Sequence, residues 1–274
     1  MRFMTPQPAV APEIIGFYTD EFDEADRLTS SADGQLEMVR TQELLRRHLP
    51  PAPASILDVG GGPGTHARWL AADGYAVHLV DPVPRHVEAA QQVGCTAEIG
   101  DARRLDVPER TYDVVLLLGP LYHLLDQTDR ILALDEARRV LKPGGLIAAA
   151  AISRYASLFE HTATTWLDRE RVHDAVTDIL ATGRHDPGRK GFTAAYFHTA
   201  EGLADELARA GFATPSVYGI EGPTWSLLKA TEQHTGGRMA DSAMFRAALA
   251  AARMAEAYPD LLAASSHMLA VANA

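Results

Sequence analysis

An α/β fold with a doubly wound, mostly parallel sheet is predicted for this 274-residue chain by three observations. The run Ile56-Leu57-Asp58-Val59 ends in a glycine cluster, Gly60-Gly61-Gly62-Pro63-Gly64, and a helix-compatible stretch then leads to a second apolar run closing on Val80-Asp81-Pro82. Tyr112 to Leu118 is a continuous apolar run of the kind required of a strand buried on both faces. Between strands four and five the period becomes helical: Ile131, Leu134, Ala137 and Leu141 share a face, while Asp129, Arg130, Glu136 and Arg138 lie mostly elsewhere and face water. Strands alternating with helices imply parallel pairing.

The elements follow in order. Residues up to Pro12 are proline-rich and read as extended or disordered, and Glu13 to Leu28 reads as a helix or helix pair over the ligand of the glycine loop. Leu36, Val39, Leu45 and Leu49 recur at helical spacing until Pro50-Pro51-Ala52-Pro53 stops the segment ahead of the first strand. A short third strand near Ala97-Glu98-Ile99 runs into Gly100-Asp101-Ala102, and the fourth strand breaks at Gly119-Pro120. Lys142-Pro143-Gly144-Gly145 closes a helix and reopens into a fifth strand, Leu146 to Ala150. Residues 153–199, rich in aromatic, His and Arg side chains with a Gly/Pro-rich break at 183–191, read as an insertion after that strand. Glu201 to Ala210 forms a helix stopped by Gly211, Thr214 to Glu221 offers a sixth strand, and Trp225 to Met254 is alanine-rich and largely helical in pattern. Ser266 to Ala272 fits a last strand. The expected division is a helical cap over 1–50, a binding core over 51–152, the insertion over 153–199, and the rest of the core with added helices over 200–274.

Glycines after an apolar strand let a backbone approach a ligand where any Cβ would collide, and a carboxylate ending the next strand can accept both ribose hydroxyls. A dinucleotide fingerprint is G-x-G-x-x-G; here the glycines fall at 60, 62 and 64, with Asp58 before them and Thr65 in the third dinucleotide place. This loop, followed in order by Asp81, Gly100-Asp101-Ala102, the apolar fourth strand and Gly119-Pro120-Leu121-Tyr122-His123-Leu124, resembles the motif series of class I S-adenosylmethionine-dependent methyltransferases over roughly Tyr18 to Gly222. The resemblance implies a seven-stranded, Rossmann-like sheet whose last strand runs antiparallel beside the fifth, S-adenosylmethionine as the methyl donor, and a lid for the acceptor in the insertion. It also implies roles: Asp58, Gly60 and Gly62 for the methionine portion, Asp81 with Pro82 for the ribose, Asp101 and Ala102 for adenine, Leu118 beside the donor, and Tyr18 and Arg27 closing over it. A surface salt bridge is at least as good a role for Arg27.

Methyl transfer from a sulfonium is an in-line displacement in which geometry supplies much of the rate, ~7–11 kcal/mol in favourable cases, so the lack of a catalytic triad does not argue against an enzyme. His123, an imidazole at the mouth of the fourth strand, is the candidate general base, and shaping the turn is an equal alternative. Tyr122, Arg154, Tyr155, Tyr196 and His198 are candidates for the acceptor pocket; packing is the competing role for each. Nucleobase amino-methyltransferases carry Asn-Pro-Pro-Tyr where this chain has Gly119, which removes the side chain that would hold the target amine. His161, His173, His185 and His198 do not repeat at ligand spacing, so no metal is expected.

A formal net charge of -11 sets the surface against nucleic acid. Local basic stretches such as Arg184 to Lys190 read as solvated loop. The single cysteine, Cys95, excludes an internal disulfide and agrees with a cytoplasmic location. The first residues lack a signal-peptide pattern and no apolar run is long enough to span a bilayer. The expected protein transfers a methyl group to a small organic acceptor through O, N or C, in secondary metabolism, with no membrane partner; a homodimer stays open. The alternatives are a nicotinamide-dependent oxidoreductase and a binding protein that keeps the donor without turnover.

Overall fold

Each apolar run named above becomes a strand because its neighbours leave it no exposed face. In a computed structural model describing residues 15–21, 24–185 and 193–274, β1 (Ser55–Val59), β2 (Ala76–Asp81), β3 (Thr96–Ile99), β4 (Tyr112–Leu117) and β5 (Leu141–Ile152) pair in parallel. The proline-rich start and most of the break at 183–191 lie outside the described residues. An antiparallel pair of two-residue strands, β6 (Arg184–His185) and β7 (Ala195–Tyr196), stands apart from the main sheet. β8 (Ala213–Gly219) and β9 (His267–Asn273) complete a seven-stranded sheet of order β3-β2-β1-β4-β5-β9-β8, with β9 antiparallel to β5. The crossover from β1 outward in both directions places a ligand crevice at the carboxyl ends of β1 and β4.

Alternation along the strands divides the core in two. Leu57, Val59, Val115, Leu117, Ile147 and Ala149 pack on one face, against Leu134 and Ala137 of α4 (Gln127–Val140) and Leu203 and Leu207 of α7 (Ala200–Arg209). Ile56, Val114, Leu116, Ala148 and Val271 pack on the other, with Leu44 and Leu45 of α1 (Ala32–His48) and Leu70 of α2 (Thr65–Ala72). Period two puts successive residues on opposite faces, so a run that is buried throughout must be apolar throughout.

Two local expectations shift. The break at Lys142 to Gly145 is a bulge inside β5: Tyr112 pairs with Leu141 and Val114 with Leu146, leaving four residues looped out. The alanine-rich stretch after Trp225 is two helices, α8 (Trp225–Thr235) and α9 (Ala243–Ala255), ended and begun by Gly236 in the left-handed region and by the Ser242 hydroxyl capping the Phe245 amide. Trp225, Leu228 and Ala248 from these helices bury Ala32 and Leu36 of α1. The described residues of 153–199 form α5 (Ala156–Ala163), α6 (Glu170–Thr182) and the β6/β7 pair, and α3 (Pro84–Ala90) is a further helix of the core. Within the described residues before α1, Phe17–Glu21 is a π-helical turn and Glu24–Asp26 a 3-10 turn, so Glu13 to Leu28 is not one regular helix there. No helix among the described residues is long and apolar enough to cross a membrane.

Candidate active site

A cavity of ≈ 400 Å³ opens at the carboxyl ends of β1, β2 and β4. Its floor is the glycine loop. Gly60 has φ +69°, and a Cβ there would meet Cδ of Pro120 at 2.8 Å, which lets the turns after β1 and β4 close on each other. At Gly61 a Cβ would meet the Asp58 carboxylate at 2.6 Å, so a side chain would bury the acid from the cavity.

Every donor-side residue expected from the sequence lines this space: Tyr18, Arg27, Asp58, Gly60, Gly62, Asp81, Pro82, Asp101, Ala102 and Leu118. Their present partners differ, and that difference matters. Asp58 is buried with neither carboxylate oxygen hydrogen-bonded among the described residues. Burial, and then the nearby Asp81 charge, push its carboxyl up to about 7. Asp81 is committed: Oδ2 accepts from the Gly62 amide at 2.9 Å, and Oδ1 from the Val83 amide at 2.9 Å with His86 Nδ1 at 3.1 Å. Asp101 is gripped by Arg103, whose Nη2 lies 2.6 Å from Oδ2, and Arg103 continues to Asp129 at 2.7 Å. Each carboxylate oxygen can accept more than one bond, so these engagements leave room for a ligand hydroxyl or amine.

The expected base is weakly placed for that work. Nε2 of His123 lies 2.8 Å from the Tyr18 hydroxyl, and burial drives the imidazole down to about 4, only partly offset by the Ala194 backbone. It is neutral at physiological pH and a poor proton acceptor. Tyr122 lines the cavity beside it, ring centroids 4.6 Å apart, its own hydroxyl pushed up by burial.

The other four acceptor candidates do not line the cavity. Arg154 donates Nε to the Phe197 carbonyl at 2.8 Å and Nη2 to the Tyr196 hydroxyl at 3.4 Å. Tyr155 is exposed at the start of α5. Tyr196 lies under the Arg130 guanidinium, 3.7 Å from its centroid, and packs edge-on against His198. His198 is buried, its Nε2 3.2 Å from Glu206. The physical reason for three of them is polar satisfaction: Arg130, expected to face water, is buried, pairs with Glu206 and donates to the Leu124 and Leu125 carbonyls, and Arg154, Tyr196 and His198 pack into that network. Of the described residues in 153–199, Ala194 is the one that reaches the cavity.

The wall missed by sequence reading lies toward β8 and β9. Arg27 bonds Glu24 at 2.7 Å and grips Glu37 through both Nη atoms at 2.7 and 2.9 Å. This is a lining ion pair, neither a lone surface bridge nor an unengaged guanidinium. Glu37 also lies 3.6 Å from Nδ1 of His267, which in turn meets Oε1 of Glu221 at 2.5 Å. Glu221 is fixed by the Ser265 hydroxyl at 2.7 Å and the His267 amide at 2.9 Å. Burial opposes charge on His267, but Glu37 and Glu221 outweigh it and hold the imidazolium up to about 9. The Glu37 carboxyl is held down at about 2 by Arg27 and His267 against the effect of burial. Glu37, Glu221 and His267 place ligand-capable atoms within 4.8 Å of one another, yet the 2.5 Å contact is a hydrogen-bond length and Glu37 is already bidentate on Arg27. Glu37 lies 184 positions before Glu221, which lies 46 before His267, and no local motif marks them.

Comparisons with known proteins agree with the geometry. Residues 56–145 match the family described as Methyltransferase domain. A ubiquinone biosynthesis O-methyltransferase of Methylocella silvestris is 31% identical over 44% of this chain and 49% of its own length. A ubiquinone/menaquinone biosynthesis C-methyltransferase of Acidiphilium cryptum is 36% identical over 39% of this chain and 45% of its own. The chain thus spans about half the length of the curated relatives it matches. Among solved structures, an S-adenosylmethionine-dependent methyltransferase of Thermotoga maritima, titled a possible histamine N-methyltransferase, superposes with TM-score 0.54 at 18% identity, covering 88% of this chain and 91% of that one. A Haemonchus contortus N-methyltransferase solved with phosphomonomethylethanolamine and S-adenosylhomocysteine gives 0.57 at 16% identity, covering 97% and 60%. Residues 56–145 therefore match a methyltransferase domain, and the chain has the fold of the class I S-adenosylmethionine-dependent methyltransferases.

Proposed function

We propose that this protein transfers the methyl group of S-adenosylmethionine to a small organic acceptor. The observation that carries the reading is Asp58: a buried carboxylate with both oxygens unpartnered among the described residues, on the wall of a cavity floored by glycines. Leaving such a group unmet is costly, and a cationic ligand removes the cost. The donor's ammonium and sulfonium supply positive charge there, Asp81 has remaining acceptor capacity for the ribose, and Asp101 and Ala102 stand where adenine would be held.

The same acidity argues against a nicotinamide dinucleotide. Its pyrophosphate would face Asp58 and Asp81, and the cavity's described guanidinium groups, Arg27 and Arg103, are each paired to two carboxylates already. Acceptor origin has two candidates: a secondary metabolite, as expected from the sequence, or a quinone precursor, as the names of the curated relatives suggest. Titration of the purified protein with S-adenosylhomocysteine and with NAD tests the assignment. Saturable heat from the first and none from the second is expected. Tight NAD binding alone would overturn it. Methyl-labelled donor incubated with a deproteinised small-molecule extract then separates an enzyme, which yields labelled product, from a binder without turnover.

A further inference from the structure

We propose that His267, oriented by Glu221, is the general base that takes the acceptor's proton, and that the acceptor is therefore a hydroxyl compound. The proposal rests on the methyltransferase reading above and goes beyond it by naming the residue and the acceptor atom.

Topology places His267 at the working edge of the sheet. Because β9 runs antiparallel, its first residue lies opposite Ile152, the last residue of β5, and so at the same edge as the glycine loop. The donor groups occupy the β1, β2 and β4 side; His267, Ile220 and Ala150 line the β5, β9 and β8 side of the same cavity. That is the space left for an acceptor.

The imidazole is wired as a base is wired. Nδ1 is bound by Glu221, whose second oxygen is locked by Ser265 and by the His267 amide, so ring and tautomer are fixed from behind. Nε2 has no hydrogen-bond partner among the described residues, although the residue lines the cavity. His123 presents the opposite arrangement, with Nε2 occupied by Tyr18. The charged groups around His267 come from four parts of the chain: Glu221 after β8, Glu37 on α1, Arg27 with Glu24 before α1, and His66 on α2 beside Glu37 and Arg27. The two nearest carboxylates raise its basicity to about 9, and His66, driven down to about 4 by burial, adds no charge.

A neutral amine attacks a methyl sulfonium without prior proton loss, and Glu221 with a strong base would then have no task. A hydroxyl is a poor nucleophile until its proton departs. In the proposed step, taken by the neutral ring whose population grows as pH rises toward about 9, the acceptor O–H proton passes to Nε2, an oxygen–carbon bond forms as the donor's sulfur–carbon bond breaks, and the positive charge moves from sulfur to imidazolium. The imidazolium then returns its proton to water.

The test uses the full chain, a ¹³C-methyl donor, and a deproteinised extract supplemented with catechol as a defined phenolic probe. The expected product carries an O-methyl carbon by NMR. Turnover should rise with pH toward about 9. His267→Gln, whose amide can still donate to Glu221, should lower turnover about 100-fold while S-adenosylhomocysteine affinity stays within about threefold. Glu221→Gln should move the rise to lower pH. An N-methyl product, a flat pH profile, or His267→Gln at parental turnover would overturn the base assignment, and a C-methyl product would overturn oxygen as the acceptor atom. Failure of the parent protein to bind S-adenosylhomocysteine, or to label any product, would overturn the methyltransferase reading itself. Should His267→Gln not fold, ¹⁵N titration of the parent's histidines decides: an imidazole with a protonated Nδ1 titrating near 9, lowered in Glu221→Gln, supports the assignment, and the absence of any histidine titrating above 7.5 refutes it.

Discussion

The Tyr18 hydroxyl and Nε2 of His123 meet at 2.8 Å, joining the segment before α1 to the turn after β4 across the mouth of the cavity. A contact between residues 105 positions apart at that place works as a clasp. Tyr18→Phe removes one hydrogen bond, worth about 1 kcal/mol, and should weaken S-adenosylhomocysteine binding about fivefold. In a pH titration followed by NMR, His123 should stay neutral down to pH 5, because burial holds it near 4. Protonation near 6.5 would show that the ring is solvated and the clasp open.

Asp58 couples binding to protons. Its folded-state carboxyl sits at about 7, above the ordinary value of 3.8, so the folded protein holds more protons than the unfolded chain between those values and stability falls as pH rises through that window. A cation beside Asp58 favours the ionised form. Binding of S-adenosylmethionine at pH 7 should therefore release about half a proton, read as a dependence of the binding heat on buffer ionisation enthalpy. Asp58→Asn should be more stable than the parent at pH 8, with the gap closing toward pH 5, and should lose both the proton release and most of the affinity.

Asp81 has two tasks and its removal should show both. Its carboxylate ties the Gly62 and Val83 amides together, so Asp81→Ala should lower stability by about 1–3 kcal/mol as well as weaken S-adenosylhomocysteine binding at least tenfold. Chemical denaturation and calorimetry on one preparation separate the losses. Unchanged stability with lost affinity would mean that the amides find other acceptors.

The Arg130–Glu206 pair holds the turn that forms the cavity's far rim. Arg130→Met strands a buried Glu206 carboxylate, itself held down at about 2 by His198 and Arg130 against the effect of burial, and should cost about 3–5 kcal/mol in urea denaturation. Arg130→Met with Glu206→Leu should recover most of that loss, since no unpaired charge remains. If the double variant is as unstable as the single one, the carbonyls of Leu124 and Leu125 dominate the cost.

Amino-acid order alone determined the sheet and the glycine-rich wall of the cavity. Both are written in contiguous stretches: a strand buried on two faces must be a continuous apolar run, as Val114 to Leu117 is, and a turn that closes against Pro120 must be glycine, as at Gly60. Only the folded chain decided which titratable side chains face the remaining space. Arg154, Tyr196 and His198 carry the residue types of a binding pocket, yet the buried Arg130–Glu206 pair recruits them to packing. Glu37, Glu221 and His267 carry no pattern, and the antiparallel entry of β9 beside β5 brings them together. A side chain's charge and partners depend on neighbours distant in sequence, because burial and Coulomb terms act through space while periodicity acts along the chain.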